Sequence, residues 1–147
     1  MKGLVTAFAV IALLTGCVMR QVSAFKEDGL RKIDLTQLCY DYYTLRRDRR
    51  MTPDATAQLE KILLEKGLPA TDLKLAQQNR IGVGMTQNGL YAAWGRANVE
   101  KRLVDRQGVR IRHSYGYSDH LNRPTYVYTE DGIITAWQDQ RTKYDNR

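Results

Sequence analysis

The sequence predicts an α+β domain in which helices pack on a three-stranded antiparallel sheet. Between residues 34 and 94, apolar side chains recur at helical spacing and stand between capping signals. From residue 109 onward they alternate every second position, as in a strand with one covered face. The tripeptide Glu130-Asp131-Gly132 separates two β-rich runs and predicts a hairpin.

Two helices are expected at the start of this domain. The first covers about residues 35–49, where the apolar positions form one stripe. That stripe consists of Leu35, Leu38, Cys39, Tyr42 and Leu45. Thr52-Pro53-Asp54 begins the second helix, because a capping hydroxyl is followed by a proline at the first helical position, and Gly67 ends it. Cys39 is expected to be a buried thiol.

Two shorter helices follow. Thr71-Asp72 is interpreted as the cap of a helix that extends to about Gln78. Thr86 is interpreted as the cap of the next helix, which extends to about Trp94. Gly89 lies inside that helix, where glycine costs roughly 1 kcal/mol relative to alanine. Its presence indicates either close packing or simple tolerance.

Three strands are expected in the second half of the chain. Residues 109–117 alternate, which turns Arg110 and Arg112 away from the covered face. Residues 125–129 and 133–138 form the two strands of the predicted hairpin.

The first seventeen residues predict export and lipidation. A basic Met1-Lys2 precedes an apolar run from Val5 to Leu14, which is about ten residues long, whereas a helix needs roughly 20 to span a bilayer. Leu14-Thr15-Gly16-Cys17 then resembles a bacterial lipoprotein signal, in which cleavage leaves the cysteine as an acylated first residue. Cys17 is therefore expected to carry covalent diacylglycerol and an N-acyl lipid. A short membrane helix with a chance cysteine is the alternative.

These assignments divide the chain into a signal peptide (1–16), a lipidated flexible tether (17–33) and a single α+β domain (34–141). The chain has 23 basic and 16 acidic residues, and loss of Lys2 with the signal leaves 22 against 16, a net charge of +6. Such a balance beside a membrane suits anionic headgroups, acidic partner proteins or anionic wall polymers. Nucleic acid is not expected as a partner of an exported lipoprotein. With the other cysteine lipidated, Cys39 has no disulfide partner.

The expected location is the periplasmic face of the outer membrane. Val18 follows the lipidated cysteine, whereas an aspartate there would resemble an inner-membrane retention signal. Three acyl chains far exceed the single chain that gives marginal, reversible membrane binding. The lipid anchor is therefore expected to be effectively permanent.

Two groups of residues are candidate binding sites. The candidate partner-binding group consists of Tyr126, Tyr128, Arg110 and Arg112. Tyrosine and arginine are enriched at interface hot spots, but tyrosine also favours strands and packs cores, so both interpretations stand. The candidate anion-binding group consists of Arg46, Arg47, Arg49 and Arg50. Its alternative role is to complement the negative C-terminus of a helix.

No catalytic or metal site is expected. The chain has two histidines, His113 and His120, and no cysteine pair that would suit zinc. Ser118-Asp119-His120 is interpreted as a turn, because adjacent residues cannot align a nucleophile, a base and an orienting acid. His113 shares the covered face of its strand, so we expect a half-buried histidine with satisfied hydrogen bonds and not a catalytic base. An enzyme, a small-molecule substrate and a non-covalent cofactor are not expected.

Several short motifs in the second half occur in a characteristic order. Gly84-Met85-Thr86 opens a helix, Gly95 closes it, and a meander follows that contains Tyr126-Val127-Tyr128, Gly132-Ile133-Ile134 and Trp137-Gln138. Together with the lipoprotein signal, this order resembles the small outer-membrane lipoproteins of the SmpA/OmlA (BamE-like) family. The resemblance covers residues 79–138 and implies two helices packed on three antiparallel strands, the BamE-like ααβββ arrangement. Residues 34–78 form an additional helical segment here, and no binding residue is carried over from the family.

These observations together predict an outer-membrane-anchored lipoprotein that acts as a non-catalytic, protein-binding accessory of an envelope complex. One alternative is an inhibitor or blocking lipoprotein that masks an envelope enzyme or receptor. Another is a peptidoglycan-binding protein.

Overall fold

A computed structural model describes residues 27–48, 52–106, 108–116 and 124–139, which contain five helices and four strands. The chain divides into two compact units, residues 1–34 and 35–147. The lipoprotein signal with Cys17, and the Ser118-Asp119-His120 turn, lie outside the described residues. Across the described ranges, no helix combines the length and the apolar character that crossing a membrane requires.

The described part of the first unit contains helix α1 (Glu27–Lys32). The prediction of a coil throughout residues 17–33 is therefore wrong for these six residues. Two bases, Arg31 and Lys32, lie in the last turn of this helix. Their position complements the helix dipole, a charge effect that apolar periodicity does not reveal.

Four helices precede the sheet in the second unit, as the sequence predicts. They are α2 (Leu35–Arg47), α3 (Pro53–Glu65), α4 (Ala70–Gln77) and α5 (Gln87–Trp94). The predicted cap of α3 is confirmed, since Thr52 Oγ1 accepts a hydrogen bond from the Ala55 N–H at 3.3 Å. The predicted cap of α5 is confirmed in the same way, since Thr86 Oγ1 accepts from the Gly89 N–H at 3.0 Å.

The predicted cap of α4 is wrong. That helix begins at Ala70, and no side chain caps it. Asp72 is only 3 % exposed, and its Oδ2 accepts hydrogen bonds from the Thr86 N–H at 2.8 Å and the Thr86 hydroxyl at 2.6 Å. Asp72 therefore stabilises the start of α5, where the helix dipole favours a carboxylate. A local sequence pattern shows that a side chain can cap a helix, but it does not show at the start of which helix that side chain will form its hydrogen bonds.

The sheet is antiparallel, and its strands are ordered β1-β2-β3-β4. These are β1 (Val99–Asp105), β2 (Gly108–Tyr115), β3 (Thr125–Glu130) and β4 (Ile133–Asp139). The α+β class is confirmed, but the predicted number of three strands is wrong, because the sequence does not predict β1. Charged residues occupy four of its seven positions, and its side chains are mostly exposed, so no apolar alternation marks it. Pairing with β2, from Val99 opposite Ser114 to Asp105 opposite Gly108, is what orders this strand.

The predicted hairpin joins β3 to β4. Asp131 and Gly132 have φ values of 49° and 76°, the two positive angles that a tight two-residue turn requires. The chain just before α5 bonds to the beginning of β4 on its other side. Gly84 N–H donates to the Ile134 carbonyl, and Ile134 N–H donates to the Met85 carbonyl, both at 2.8 Å. The start of α5 is therefore tied to the sheet.

Helix α5 lies at the centre of the domain. Its main helix contacts are with α2 and α4. Its other side lies on the sheet, where the Tyr91 and His113 rings meet edge-on at 5.9 Å and the Trp94 and Tyr115 rings at 5.4 Å. The largest wholly buried apolar side chains are Leu38, Tyr42, Leu59, Ile62, Leu63, Met85, Leu90, Val127 and Ile134. Cys39 is also wholly buried, which confirms the predicted core thiol.

Candidate functional site

The face of the sheet turned away from α5 carries the predicted partner-binding residues. His113 and Tyr115 of β2 contact α5, so alternation turns Arg112 and Ser114 to the opposite side. The register pairs Arg112 with Tyr128 and Ser114 with Tyr126, which places both tyrosines on that side. We call this surface the outer face. Its members are Val99, Lys101, Leu103, Asp105, Arg110, Arg112, Ser114, Tyr126, Tyr128, Glu130, Ile133, Ala136 and Gln138.

Arg112 and Tyr126 are stacked at the middle of the outer face. The guanidinium carbon of Arg112 lies 4.7 Å from the centroid of the Tyr126 ring, within cation–π distance. Three buried side-chain atoms of this face have no hydrogen-bond partner among the described residues: Arg110 Nε, Arg112 Nε and Ser114 Oγ. Buried polar groups are nearly always hydrogen-bonded, so three unsatisfied groups on one face of one strand mark a place that lacks acceptors.

Arg110, the other arginine of the outer face, is neutralised locally. Its Nη2 forms an ion pair with Asp105, and its Nε lies 3.9 Å from Glu130 Oε1. Among the described residues, Arg112 forms no ion pair with a carboxylate. The two arginines therefore have different roles: Arg110 connects strands β1, β2 and β3, whereas Arg112 stacks on Tyr126 and has no acidic partner among the described residues.

The candidate anion-binding group is only partly described, because Arg49 and Arg50 lie outside the described residues. Arg46 donates to the carbonyls of Ala76 at 2.6 Å and Gln77 at 2.8 Å. Arg47 donates to the Tyr43 hydroxyl at 3.0 Å. Arg46 therefore complements the C-terminus of a helix, although it is the end of α4 and not that of its own helix.

A buried polar network centres on His113. Its Nδ1 lies 3.0 Å from Glu100 Oε1, and its Nε2 lies 3.0 Å from Thr129 Oγ1. Because a carboxylate only accepts, Nδ1 carries the proton and Nε2 accepts from the threonine hydroxyl. The Tyr91 hydroxyl donates to the same Glu100 oxygen at 3.0 Å, and Gln87 donates to that hydroxyl. The network joins α5 to three strands of the sheet.

The order hydroxyl, imidazole, carboxylate is also that of a catalytic triad. Here, however, Thr129 is 1 % exposed and His113 is 0 % exposed, so a substrate carbonyl has no route to the hydroxyl. The expected hydrogen bonds of His113 are confirmed, but the expected half-burial is wrong, because the histidine is wholly buried. Sequence reasoning missed the partner, Glu100, because it belongs to the strand that the sequence does not predict. In the described ranges, no three His, Cys, Asp or Glu side chains converge on a possible metal site.

No family model, curated protein or solved structure matches the chain. The basis for assigning a function is therefore the fold and the outer face.

The environment of His113 predicts that acid destabilises the fold. Burial lowers the pKa of His113 below 6.5, and Glu100 raises it by less. The unfolded chain therefore binds a proton near pH 6.5 that the folded chain does not bind. The free energy of unfolding should fall as the pH drops from about 6.5 through the folded-state pKa, by at most about 1.4 kcal/mol per pH unit. Urea unfolding between about pH 7.5 and 5 measures this slope.

Two further measurements identify the source of that slope. A ring titration followed by NMR should place the pKa of His113 in the folded protein below 6.5. His113→Gln should remove the component of the slope that begins near pH 6.5. A folded-state pKa at or above 6.5 would contradict the burial argument.

Proposed function

We propose that this protein is an outer-membrane lipoprotein of the SmpA/OmlA (BamE-like) kind, anchored by lipid at Cys17 on the periplasmic face. It acts as a non-catalytic accessory that binds another protein of an envelope complex. The lipoprotein-like segment that ends at Cys17 supports the anchor. Helices followed by an antiparallel meander with a tight Asp131-Gly132 turn support the family assignment, with β2, β3 and β4 as the three family strands.

The arrangement of the outer face is the observation that carries the binding proposal. The sequence predicts two tyrosines and two arginines as candidate partner-binding residues. All four lie on the side of the sheet opposite the helical layer of the second unit. Tyr126 and Tyr128 are half-buried there, so part of each side chain remains open to contact with a partner. Large aromatic and arginine side chains near the middle of a surface are the usual hot spots of protein interfaces.

Affinity capture from detergent-solubilised envelopes tests the binding face. We expect Tyr126→Ala and Arg112→Ala each to weaken capture of the partner at least about ten-fold, as hot-spot truncations do. Arg102→Ala is the matched control, because Arg102 is an exposed arginine of β1 that points to the opposite face. It should leave capture unchanged. If the Tyr126 variant loses thermal stability and keeps the partner, the tyrosine is a core residue and the binding proposal is wrong.

The identity of the captured species separates the candidate functions. A stoichiometric envelope protein supports the accessory role. A secreted or foreign target points to a blocking lipoprotein instead, and retention on purified peptidoglycan points to a wall-binding protein. Mass spectrometry of the envelope-extracted protein should find diacylglycerol and an N-acyl chain on Cys17. An unmodified Cys17 would contradict the anchor.

A further inference from the structure

We propose that Arg112 is the centre of a carboxylate-binding site on the outer face. The ligand is an aspartate or glutamate side chain in an otherwise uncharged, extended segment of a partner protein. This inference rests on the proposed function, since it names the chemistry by which the partner would be recognised.

The guanidinium of Arg112 is stacked on an aromatic ring and lacks an acceptor at Nε among the described residues. Its contact with the Tyr126 ring, at 4.7 Å, satisfies the charge in part but accepts none of the five N–H donors of a guanidinium. Its Nε is buried and lacks an acceptor among the described residues, as do Arg110 Nε and Ser114 Oγ, so an incoming ligand would meet the Nη groups of Arg112. A carboxylate is the ligand that matches the planar donor pair of arginine bidentately.

A second cation and a second unsatisfied group adjoin Arg112. Lys101 lies directly opposite Arg112 in the pairing of β1 with β2, and it is exposed. Ser114 lies two residues further along the same face, and its Oγ is also buried without a partner among the described residues. Because Ser114 Oγ and Arg112 Nε are both buried, we assign the direct contacts to the Nη groups of Arg112 and to Lys101. Arg112, Lys101 and Ser114 together have more hydrogen-bond donors than acceptors, and an incoming carboxylate would supply the missing acceptors.

The charge of the outer face favours one discrete carboxylate over a membrane surface. Its three cations are Lys101, Arg110 and Arg112, and its two described acids, Asp105 and Glu130, are already engaged with Arg110. The net charge is therefore only +1, whereas attraction to an anionic bilayer grows with the number of uncompensated cations. The acids would also repel anionic headgroups.

The surroundings of the site indicate what lies on either side of the ligand carboxylate. The other members of the outer face near Arg112 are mostly aliphatic or aromatic: Val99, Leu103, Tyr126, Tyr128 and Ala136. A segment with one acidic residue between apolar residues is complementary to this surface in both charge and polarity.

Two blocked peptides test the site on the full-length protein in neutral detergent micelles. The probe is acetyl-Ala-Val-Glu-Val-Ala-amide, and its control carries glutamine in place of glutamate. Titration is followed at the arginine Nε–H signals of ¹⁵N-arginine-labelled protein. We expect the glutamate peptide to shift the Arg112 signal and to bind at least about ten-fold more tightly than the glutamine peptide, because only a carboxylate accepts the charged donor pair.

Variants assign the contact to particular side chains. Arg112→Ala should abolish measurable binding, and Arg112→Lys should weaken it about ten-fold, because lysine keeps the charge but loses the planar fork. Lys101→Ala should weaken binding a few-fold, since that lysine is an exposed flanking charge. Arg102→Ala, on the other face, should have no effect. When Arg112 is replaced, binding is followed by the intensity of the peptide signals.

Three results would overturn the site: equal binding of the two peptides, undiminished binding by Arg112→Ala, or a response to phosphatidylglycerol vesicles but not to the peptide. These outcomes can be separated from failure of the proposed function. If Tyr126→Ala abolishes partner capture but neither peptide binds, the binding face stands and the carboxylate site is wrong. If the glutamate peptide binds as expected but no outer-face variant alters capture, the site stands and the envelope partner docks elsewhere.

Discussion

Gly89→Ala is expected to destabilise the protein by about 2–3 kcal/mol, although the same exchange inside an ordinary helix stabilises it by roughly 1 kcal/mol. A Cβ at this position would lie 2.6 Å from Asp72 Oδ2 and 2.8 Å from Asp72 Cβ. The carboxylate cannot move aside without giving up its two hydrogen bonds to Thr86. Of the two sequence interpretations of Gly89, close packing is therefore confirmed.

A double-mutant cycle tests this explanation by unfolding in urea at neutral pH. Asp72→Ala alone should cost about 2–3 kcal/mol, because it removes charge-assisted hydrogen bonds and leaves a part-buried N–H of Thr86 without its acceptor. In that background Gly89→Ala should cost less, about 1 kcal/mol, because the clash with the carboxylate is gone while the 2.8 Å approach to the Cβ of residue 72 remains. The coupling between the two changes should be about 1–2 kcal/mol.

Gly82→Ala is the matched control for this cycle. A Cβ there would meet only Leu75 Cδ1, at an ordinary contact distance of 3.7 Å. We expect a change in stability within about 0.5 kcal/mol. Strictly additive effects of the Asp72 and Gly89 variants would contradict a direct clash.

Gly95→Ala is expected to have the largest effect, a loss of about 3–4 kcal/mol. Gly95 closes α5 with φ 74° and ψ −159°, a region that essentially only glycine adopts. A Cβ would also lie 2.4 Å from Cδ1 and 2.6 Å from Cε1 of Tyr43. Backbone strain and a clash with a ring on α2 therefore act together, and the measurement is the free energy of unfolding in urea.

Two comparison variants separate those causes. Gly67→Ala introduces a side chain at φ 97° with nothing within 4 Å, so it should show only the backbone penalty, roughly 1 kcal/mol. In a Tyr43→Ala background, Gly95→Ala should still cost about 1–3 kcal/mol, because the strain remains after the clash is relieved. Equal losses for Gly95→Ala and Gly67→Ala would show that Tyr43 does not constrain the end of α5.

The residues of the candidate site could be predicted from the sequence, but the alignment of their strands and their ion pairs could not. Period-two alternation places Arg110 and Arg112 on one side of a strand, and β propensity places Tyr126 and Tyr128 on the next one. The register that aligns the two strands depends on packing along their whole length. Neutralisation of Arg110 by Asp105, which leaves Arg112 as the arginine without an acidic partner among the described residues, depends on β1, a strand without an apolar pattern.

The sequence by itself determined the α+β class, the order of the four helices before the sheet, the caps at Thr52 and Thr86, and the Asp131-Gly132 turn. Each of these depends on interactions among residues within a few positions of one another, so the local pattern is sufficient. Only the tertiary structure decided that β1 forms, and only it decided which partners the polar side chains bind. The Asp72 and Thr86 pair is 14 residues apart, the Glu100 and His113 pair is 13 apart, and the Arg46 and Ala76 pair is 30 apart. A side chain's chemistry states what it can bind, but only the packed chain brings a particular partner within hydrogen-bonding distance.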